Sequence, residues 1–424
     1  MQKNIFKTFG CRLNSFETEV MKSFVKEKGL RNVVILNTCA VTSEAERKAK
    51  REIQKLKNQN PNSFIIVTGC AAQLKPSFFQ NIEAVNLVLG NAEKLSGVFW
   101  DKISKIKTAE KPPNNADFLS DIMSHSKLPS KNIKPSTTKT RAFIGIQNGC
   151  DHRCTFCIIP YARGNSRSLT PDQVKEQIEY LVSNGVKEVV LTGVDITSWG
   201  SDLPNPKKLG DLIEFIIKSI PGLPRLRISS IDSVEADPKL IKLLCEEERL
   251  MPHLHLSLQS GDNLILKRMK RRHSREDAIE FCNTVKKARP EMTFSADLIT
   301  GFPTEDQEMF EKTIQIVEEC KIDWLHVFPF SPRPGTPAAR MPQISRSLIE
   351  TRAAKLRDIS QSKLNRHLDL KIGSIQSILV EANLKGFTKD FSRVTFPQGS
   401  TIGEIVEMRI KSRHNNELYG LPIA

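Results

Sequence analysis

Residues 145–168 read GIQNGCDHRCTFCIIPYARGNSRS. The stretch places Cys150, Cys154 and Cys157 directly after a strand-like segment, AFIGIQN. Cys-x-x-x-Cys-x-x-Cys is one ligand short of a closed tetrahedral site. A structural zinc ion wants a fourth protein ligand, and His152, inside the loop, is poorly placed to supply it. Three thiols so close together are too many for packing alone. Cysteine thiolates also hold iron–sulfur clusters, and an iron without a protein ligand is free to bind something else. The spacing favours a cluster and leaves zinc open.

The surroundings of the motif set the fold. Residues 141–330 give six strand candidates: AFIGIQN, EVVLTG, LRISS, HLHLSLQ, FSADLITG and WLHVFPF. Helical patterns with start signals fill the gaps. Thr170 and Asp237 are N-cap candidates, each followed by proline at the first helical position. SRED (274–277) and TEDQ (304–307) are capping-box patterns. Tandem βα units predict a partial (β/α)6 TIM-type barrel, whose active site lies at the C-terminal ends of the strands. The three cysteines follow the first strand, so they belong to that face.

Residues before the barrel alternate strand and helix. NIFKTFG, VVILNTC and FIIVTGC are short apolar runs, with Ser15 and Ser43 as cap candidates for the helices between them. Such runs predict a parallel sheet covered on both faces. Residues 101–140 are rich in Pro, Ser, Asn and Lys and read as a linker. After about residue 370 short alternating strands and turns predict a small five-stranded all-β barrel. The expected division is an α/β domain at 1–110, a linker at 111–140, the barrel at 141–368 and the β module at 369–424.

The 424 residues carry a formal charge of +15, which favours a polyanionic partner, most often nucleic acid. KRMKRRHSR (267–275) packs six Lys/Arg into nine residues without an acid. It is a candidate for nucleic-acid phosphate contacts through Arg271 and Arg272, with a solvated basic helix end as the plain alternative. No window is apolar enough for a membrane helix. The opening residues MQKNIFKTFGC lack a signal-peptide h-region, so the expected compartment is the cytoplasm, without membrane association.

Of nine cysteines, Cys245, Cys282 and Cys320 fall in helical patterns and read as small buried hydrophobes. Cys11, Cys39 and Cys70 each close a strand, in TFGC, LNTC and VTGC. The C-terminal ends of parallel strands share one edge, so these three converge there. Convergence favours a second cluster held by three thiolates. In HLHLSLQSG, alternation puts His253, His255, Ser257 and Gln259 on one face and three leucines on the other. A barrel strand lining a polar lumen needs that pattern. Zinc binding by His253 and His255 is disfavoured, since the sequence supplies no carboxylate or third histidine beside them.

The cysteine motif, with Phe156 before its last cysteine, resembles the radical S-adenosylmethionine (SAM) superfamily. In that family three thiolates hold a [4Fe–4S] cluster whose open iron chelates SAM. The resemblance implies SAM contacts from backbone near Gly193, from Ser229 or Ser230 to the ribose, and from backbone near Gly301 by the adenine. Gln259, at the end of the polar barrel face, joins this expected set. TFGCRLNSFETE, NTCAVTSEAERKAKREI, GCAAQ, HLHLSLQSG and FSPRPGTPA, with the opening motif, resemble the methylthiotransferase family over nearly the whole chain. The tail is similar to the TRAM RNA-binding module, with Phe391 where that family often has tyrosine.

Within the family, GCRLN and NTCAVT resemble the branch that acts on N6-threonylcarbamoyladenosine at position 37 of tRNA. That resemblance implies two [4Fe–4S] clusters, the auxiliary one on Cys11, Cys39 and Cys70. SAM would then serve twice, as methyl donor to a cluster-bound sulfur and as source of a 5′-deoxyadenosyl radical that opens the adenine C2–H bond. It also implies a tRNA anticodon arm as partner and a low-potential donor such as flavodoxin or ferredoxin. Methylthiolation of isopentenyladenosine-37 tRNA or of a ribosomal-protein aspartate is the enzymatic alternative. A non-enzymatic iron–sulfur RNA-binding protein is the alternative of another class.

Overall fold

The computed structural model describes residues 3–106, 115–129, 140–381, 384–397 and 399–423. Strands β1 (Ile5–Thr8), β2 (Val33–Thr38), β3 (Phe64–Gly69) and β4 (Leu87–Leu89) form a parallel sheet in that order. Alternation splits the central strands between two cores. Val33, Ile35 and Ile66 pack with Phe16, Val20 and Phe24 of helix α1 (Arg12–Glu27). Val34, Leu36, Ile65 and Val67 pack with Ala49, Ile53 and Leu56 of helix α2 (Ser43–Gln59). Both helices start earlier than their serines predict. Cys11 holds the N-cap position of α1, so Ser15 lies inside the helix. Thr42 caps α2, its hydroxyl accepting the Ala45 N–H at 3.2 Å.

Six parallel strand positions follow: β5 (Arg141–Gly145), β6 (Glu188–Thr192), β7 (Arg225–Ile228) continued as β8 (Ser230–Ile231), β9 (His253–Gln259), β10 (Thr293–Thr300) and β11 (Ile322–Pro329). They form two sheets, β5-β6-β7 and β8-β9-β10-β11, divided where Ser229 interrupts one strand. This is the expected open barrel. Thr170 and Asp237 cap as the sequence predicts, and Ser274 with Asp277 completes a capping box. TEDQ departs from expectation. Its helix begins at Gln307 with the Asp306 carboxylate as cap, while Thr304 takes a positive φ of 71° and accepts a hydrogen bond from Arg268. Cys282 and Cys320 are buried in the barrel core and Cys245 is half-buried against it.

A helix the sequence reading left out, Arg346–Asp369, lies along β11 and leads to the C-terminal module. There β12 (Ile375–Glu381), β13 (Lys385–Phe387), β14 (Arg393–Thr395), β15 (Ile405–His414) and β16 (Glu417–Pro422) close a barrel in the order β12-β13-β14-β16-β15. The turn after β13 docks at the N-terminal ends of the central barrel strands. Arg225 donates to Ser377 O at 2.9 Å, and Arg227 to Lys389 O at 3.0 Å. Phe391 stacks on Phe387 at 5.0 Å and on His253 at 5.4 Å, under the guanidiniums of Arg141 and Arg227, both 4.9 Å from its ring centre. Phe391, the residue standing where the TRAM-like module often has tyrosine, therefore floors the central barrel.

Within the expected linker, residues 115–129 pack on the N-terminal sheet through buried Phe118, while buried Ile122 lies beside Gly164, after the cysteine loop. Residues 107–114 and 130–139 of that segment lie outside the described residues. Among the described residues no helix is long and apolar enough to cross a membrane.

Candidate active site

The C-terminal ends of both parallel sheets face each other across a cavity of about 370 Å³. Cys11, Cys39 and Cys70 line it from one side, and Cys150, Cys154 and Cys157 from the other. Two glycines let the first triad gather. Gly10 has φ +93°, and a side chain there would lie 2.9 Å from Cys39 Sγ. Gly69 has φ +98°, and its Cβ would meet Thr38 O at 2.3 Å. Burial pushes the Cys39 thiol up to about 11 and the Cys157 thiol up to about 12, and neighbouring thiols add to both. Thiols crowded in this way lose their protons when a cation binds them. The donor set thus fits a metal cluster on each side.

A buried ion triad underlies Cys70. Arg163 Nε donates to Cys70 Sγ at 3.1 Å, Nη1 to Glu17 Oε1 at 2.8 Å and Nη2 to Glu17 Oε2 at 3.0 Å. Lys94 Nζ lies 2.6 Å from Glu17 Oε2. None of the three side chains is more than 2% exposed. Burial works against the Glu17 charge, but Arg163 and Lys94 outweigh it and hold the carboxyl at about 2. Burial opposes the charge of both cations; at Arg163 the neighbouring Cys70 and then Glu17 outweigh it and raise the group, whereas at Lys94 burial prevails and lowers it. Two cations on one acid leave a positive excess beside the thiols.

The second triad has its own charged rim. His152 Nε2 lies 2.8 Å from Asp195 and 3.5 Å from Glu235, contacts that raise it to about 9. Its ring pairs with those acids, and Cys150, His152 and Asp195 bring their ligand atoms within 4.8 Å of one another. Arg271 donates to Asp232 Oδ2 at 2.7 Å and to Ser257 O at 2.8 Å, and lies 3.9 Å from Cys154 Sγ. Arg272 pairs with Glu235. Arg271 thus lies on the cavity wall, contrary to its reading as a phosphate contact; Arg272, though paired with an acid, stays exposed together with Lys267 and Lys270.

The expected SAM residues divide. Gly193, Ser230 and Gln259 line the cavity. Ser229 is buried outside that lining, its hydroxyl unpartnered. Gly301 also lies outside it; its N–H donates to Glu305 Oε1 at 3.0 Å, and a Cβ would lie 2.3 Å from Ile349.

The polar face of β9 points into the lumen. His253 and His255 share the Ser295 hydroxyl at 3.0 and 2.8 Å. His255 Nε2 is also 2.9 Å from Asp297 Oδ1, and His326 Nδ1 is 3.4 Å from the same oxygen. Neighbouring strands thus supply the carboxylate and third histidine that the sequence reading found missing. Arg12 reaches the lumen from α1, its guanidinium 5.3 Å from the Phe391 ring centre. Burial, then repulsion from Arg227 and Arg141, lowers it to about 10.

Sequence reasoning missed Glu17, Lys94, Arg163 and Asp297. One signal was available: Glu17 falls on the inward stripe of α1 between Leu13, Phe16 and Val20, where an acid needs a buried partner.

A six-position parallel barrel with this cysteine loop above its first strand defines a radical SAM enzyme, a class that uses SAM with a [4Fe–4S] cluster. Residues 144–317 match the Radical SAM superfamily, and residues 3–90 match Uncharacterized protein family UPF0004. Threonylcarbamoyladenosine tRNA methylthiotransferase MtaB of Rickettsia prowazekii is 45% identical over 403 residues, 95% of this chain and 93% of that one. The Bacillus subtilis protein of the same name is 34% identical over 96% of this chain and 93% of its own length. A tRNA-2-methylthio-N(6)-dimethylallyladenosine synthase of Shouchella clausii is 33% identical over 96% and 81%. The chain belongs to the methylthiotransferase family of radical SAM enzymes. The solved structure of the radical SAM methyltransferase TsrM from Kitasatospora setae shares the fold, with a TM-score of 0.58 at 13% identity over 80% of this chain and 77% of that one.

Proposed function

We propose that the protein methylthiolates C2 of N6-threonylcarbamoyladenosine at position 37 of tRNA. The observation that carries this reading is the opening of both cysteine triads onto one cavity. A base entering it meets both sites at once, as radical generation and sulfur transfer on a single carbon require. The relative at 45% identity, named for this substrate, supports the choice of adenosine over the isopentenyl alternative.

Cys150, Cys154 and Cys157 would hold one [4Fe–4S] cluster and Cys11, Cys39 and Cys70 a second. Bound there with SAM, they supply a carbon radical and a transferable methylthio group, chemistry that side chains alone cannot perform on an unactivated C–H bond. The chain's own residues position and exclude. Gly193, Ser230 and Gln259 offer backbone and polar groups to SAM. Ile231, Ile299, Phe328 and Phe330 give the cavity apolar walls that keep water from a radical. Arg163, bonded to Cys70 Sγ, offsets negative charge on the first triad.

The target base leaves its stack to enter the cavity, with exposed Lys267 and Lys270 near phosphates that position the arm. The N-terminal α/β part carries the auxiliary site, the barrel the radical site, and the TRAM-like barrel adds RNA affinity. A flavodoxin-type or ferredoxin-type donor supplies the electron for SAM cleavage, and the whole fits a cytoplasmic enzyme. Mass spectrometry of tRNA nucleosides from a strain lacking the gene tests the reading. The 2-methylthio derivative is expected to vanish and its threonylcarbamoyl precursor to accumulate. Loss of the isopentenyl derivative instead would move the substrate to the other branch.

A further inference from the structure

The barrel lumen beneath the cavity carries more arginine than its acids can neutralise. Arg227, Arg225 and Arg141 converge on Glu188, at 2.8, 3.8 and 4.0 Å, and Arg141 also pairs with Glu381 at 3.3 Å. Asp297 is engaged by His255 and His326. Arg12 is left over. Its guanidinium lies over the Phe391 ring and, among the described residues, has no hydrogen bond or ion pair. Arg227 and Arg141 are close enough to repel it, and the acids in range, Glu188 and Asp297, already have partners. A planar fork of donors without an acceptor, held in a poorly solvated space, is built to receive a carboxylate in bidentate fashion.

Position supplies the rest. Arg12 directly follows Cys11, which lines the cavity, and its side chain runs from there towards Phe391 in the lumen beneath. In adenine, C2 and C6 flank N1. A base that offers C2 to the cysteine side therefore carries its N6 substituent within one side-chain length of the residue beside Cys11. We propose that Arg12 recognises the carboxylate of the threonylcarbamoyl group and so sets the enzyme's preference for an anionic N6 substituent. This rests on the substrate reading above. An isopentenyl group brings no charge and would leave the half-buried guanidinium without a counterion, which is a discrimination against the neutral substrate.

The test crosses enzyme with substrate. Two anticodon stem-loops are used, one with threonylcarbamoyladenosine at position 37 and one with its carboxylate converted to the primary amide. The reconstituted wild-type enzyme is expected to prefer the acid about tenfold or more in kcat/KM, the size of one charge-assisted hydrogen bond. Arg12→Gln should erase that preference, and the same collapse should show in RNA binding measured by fluorescence anisotropy without turnover. Arg12→Lys keeps the charge and should keep part of the preference; iron content and circular dichroism report loading and fold. An acid-to-amide ratio near one in the wild type overturns the proposal, as does an unchanged ratio in Arg12→Gln or one lost as fully in Arg12→Lys. If the Gln variant does not fold, the wild-type ratio and the Lys variant decide. A wild-type enzyme inactive on both RNAs overturns the substrate reading as well, whereas methylthiolation of the acid with Arg12 irrelevant removes this inference alone.

Discussion

Replacing Glu17 with Gln keeps the side-chain shape and removes the acid shared by Arg163 and Lys94. A carboxyl held at about 2, against an ordinary 4.5, favours its charged form in the folded chain by about 3 kcal/mol. That agrees with the roughly 3–5 kcal/mol lost when one partner of a buried ion pair is removed. The burial is complete, so solvent screening does not discount it. Global unfolding of a chain this size need not be two-state, so the domain is read locally. Native-state hydrogen exchange at the amides of β2 and β3 should show protection falling by about 3 kcal/mol. Glu17 has a depressed folded pKa, so its contribution is present above 4.5 and is lost as pH falls towards 2. The gap between wild type and variant should therefore be constant from pH 6 to 8 and close on acidification. A gap under about 1 kcal/mol at neutral pH would refute the reasoning, because it would mean the two cations are compensated by something other than this carboxylate.

Two further substitutions probe the C-terminal module. His367 lies 3.1 Å from Asp323 of β11 and 3.2 Å from Asp390 of the docking turn; burial opposes its charge, but the two acids prevail and raise it. Its contribution is thus fully present below about pH 6.5 and lost as pH rises through its folded value. His367→Gln should speed proteolysis of the C-terminal segment more at pH 6 than at pH 9, and an equal effect at both would contradict the clamp. Phe391→Ala should loosen docking by on the order of 2 kcal/mol, from lost packing and lost cation–π contacts. A variant that docks normally but binds tRNA weakly would contradict this docking role and assign Phe391 to the RNA surface instead.

The architecture was legible because its signals are local. Thr170-Pro171, Asp237-Pro238 and SRED mark helix starts, and HLHLSLQSG shows its lumen face by alternation within one strand. The three strand-end cysteines could be read as neighbours because parallel strands end on one edge. What escaped depends on residues far apart in sequence. Glu17, Lys94 and Arg163 meet across 146 positions at most, and His255 finds Asp297 and His326 only through strand register. The basic run misled at Arg271 because charge density says nothing about direction; Asp232, over thirty positions upstream, turns Arg271 onto the cavity wall, while Arg272 pairs with Glu235 and stays exposed. Phe391 was read as part of an isolated module, and nothing local announces that its turn inserts into another domain.

The central claim is that both cysteine triads serve one substrate in one cavity. The direct test follows two products from the same anaerobic reaction, 5′-deoxyadenosine and 2-methylthio-N6-threonylcarbamoyladenosine, in reconstituted wild type and in a Cys11→Ala, Cys39→Ala, Cys70→Ala variant. The wild type should yield both. The variant should retain about half the iron, still form 5′-deoxyadenosine, and give no methylthiolated nucleoside. Full iron content or continued methylthiolation in that variant would contradict the account.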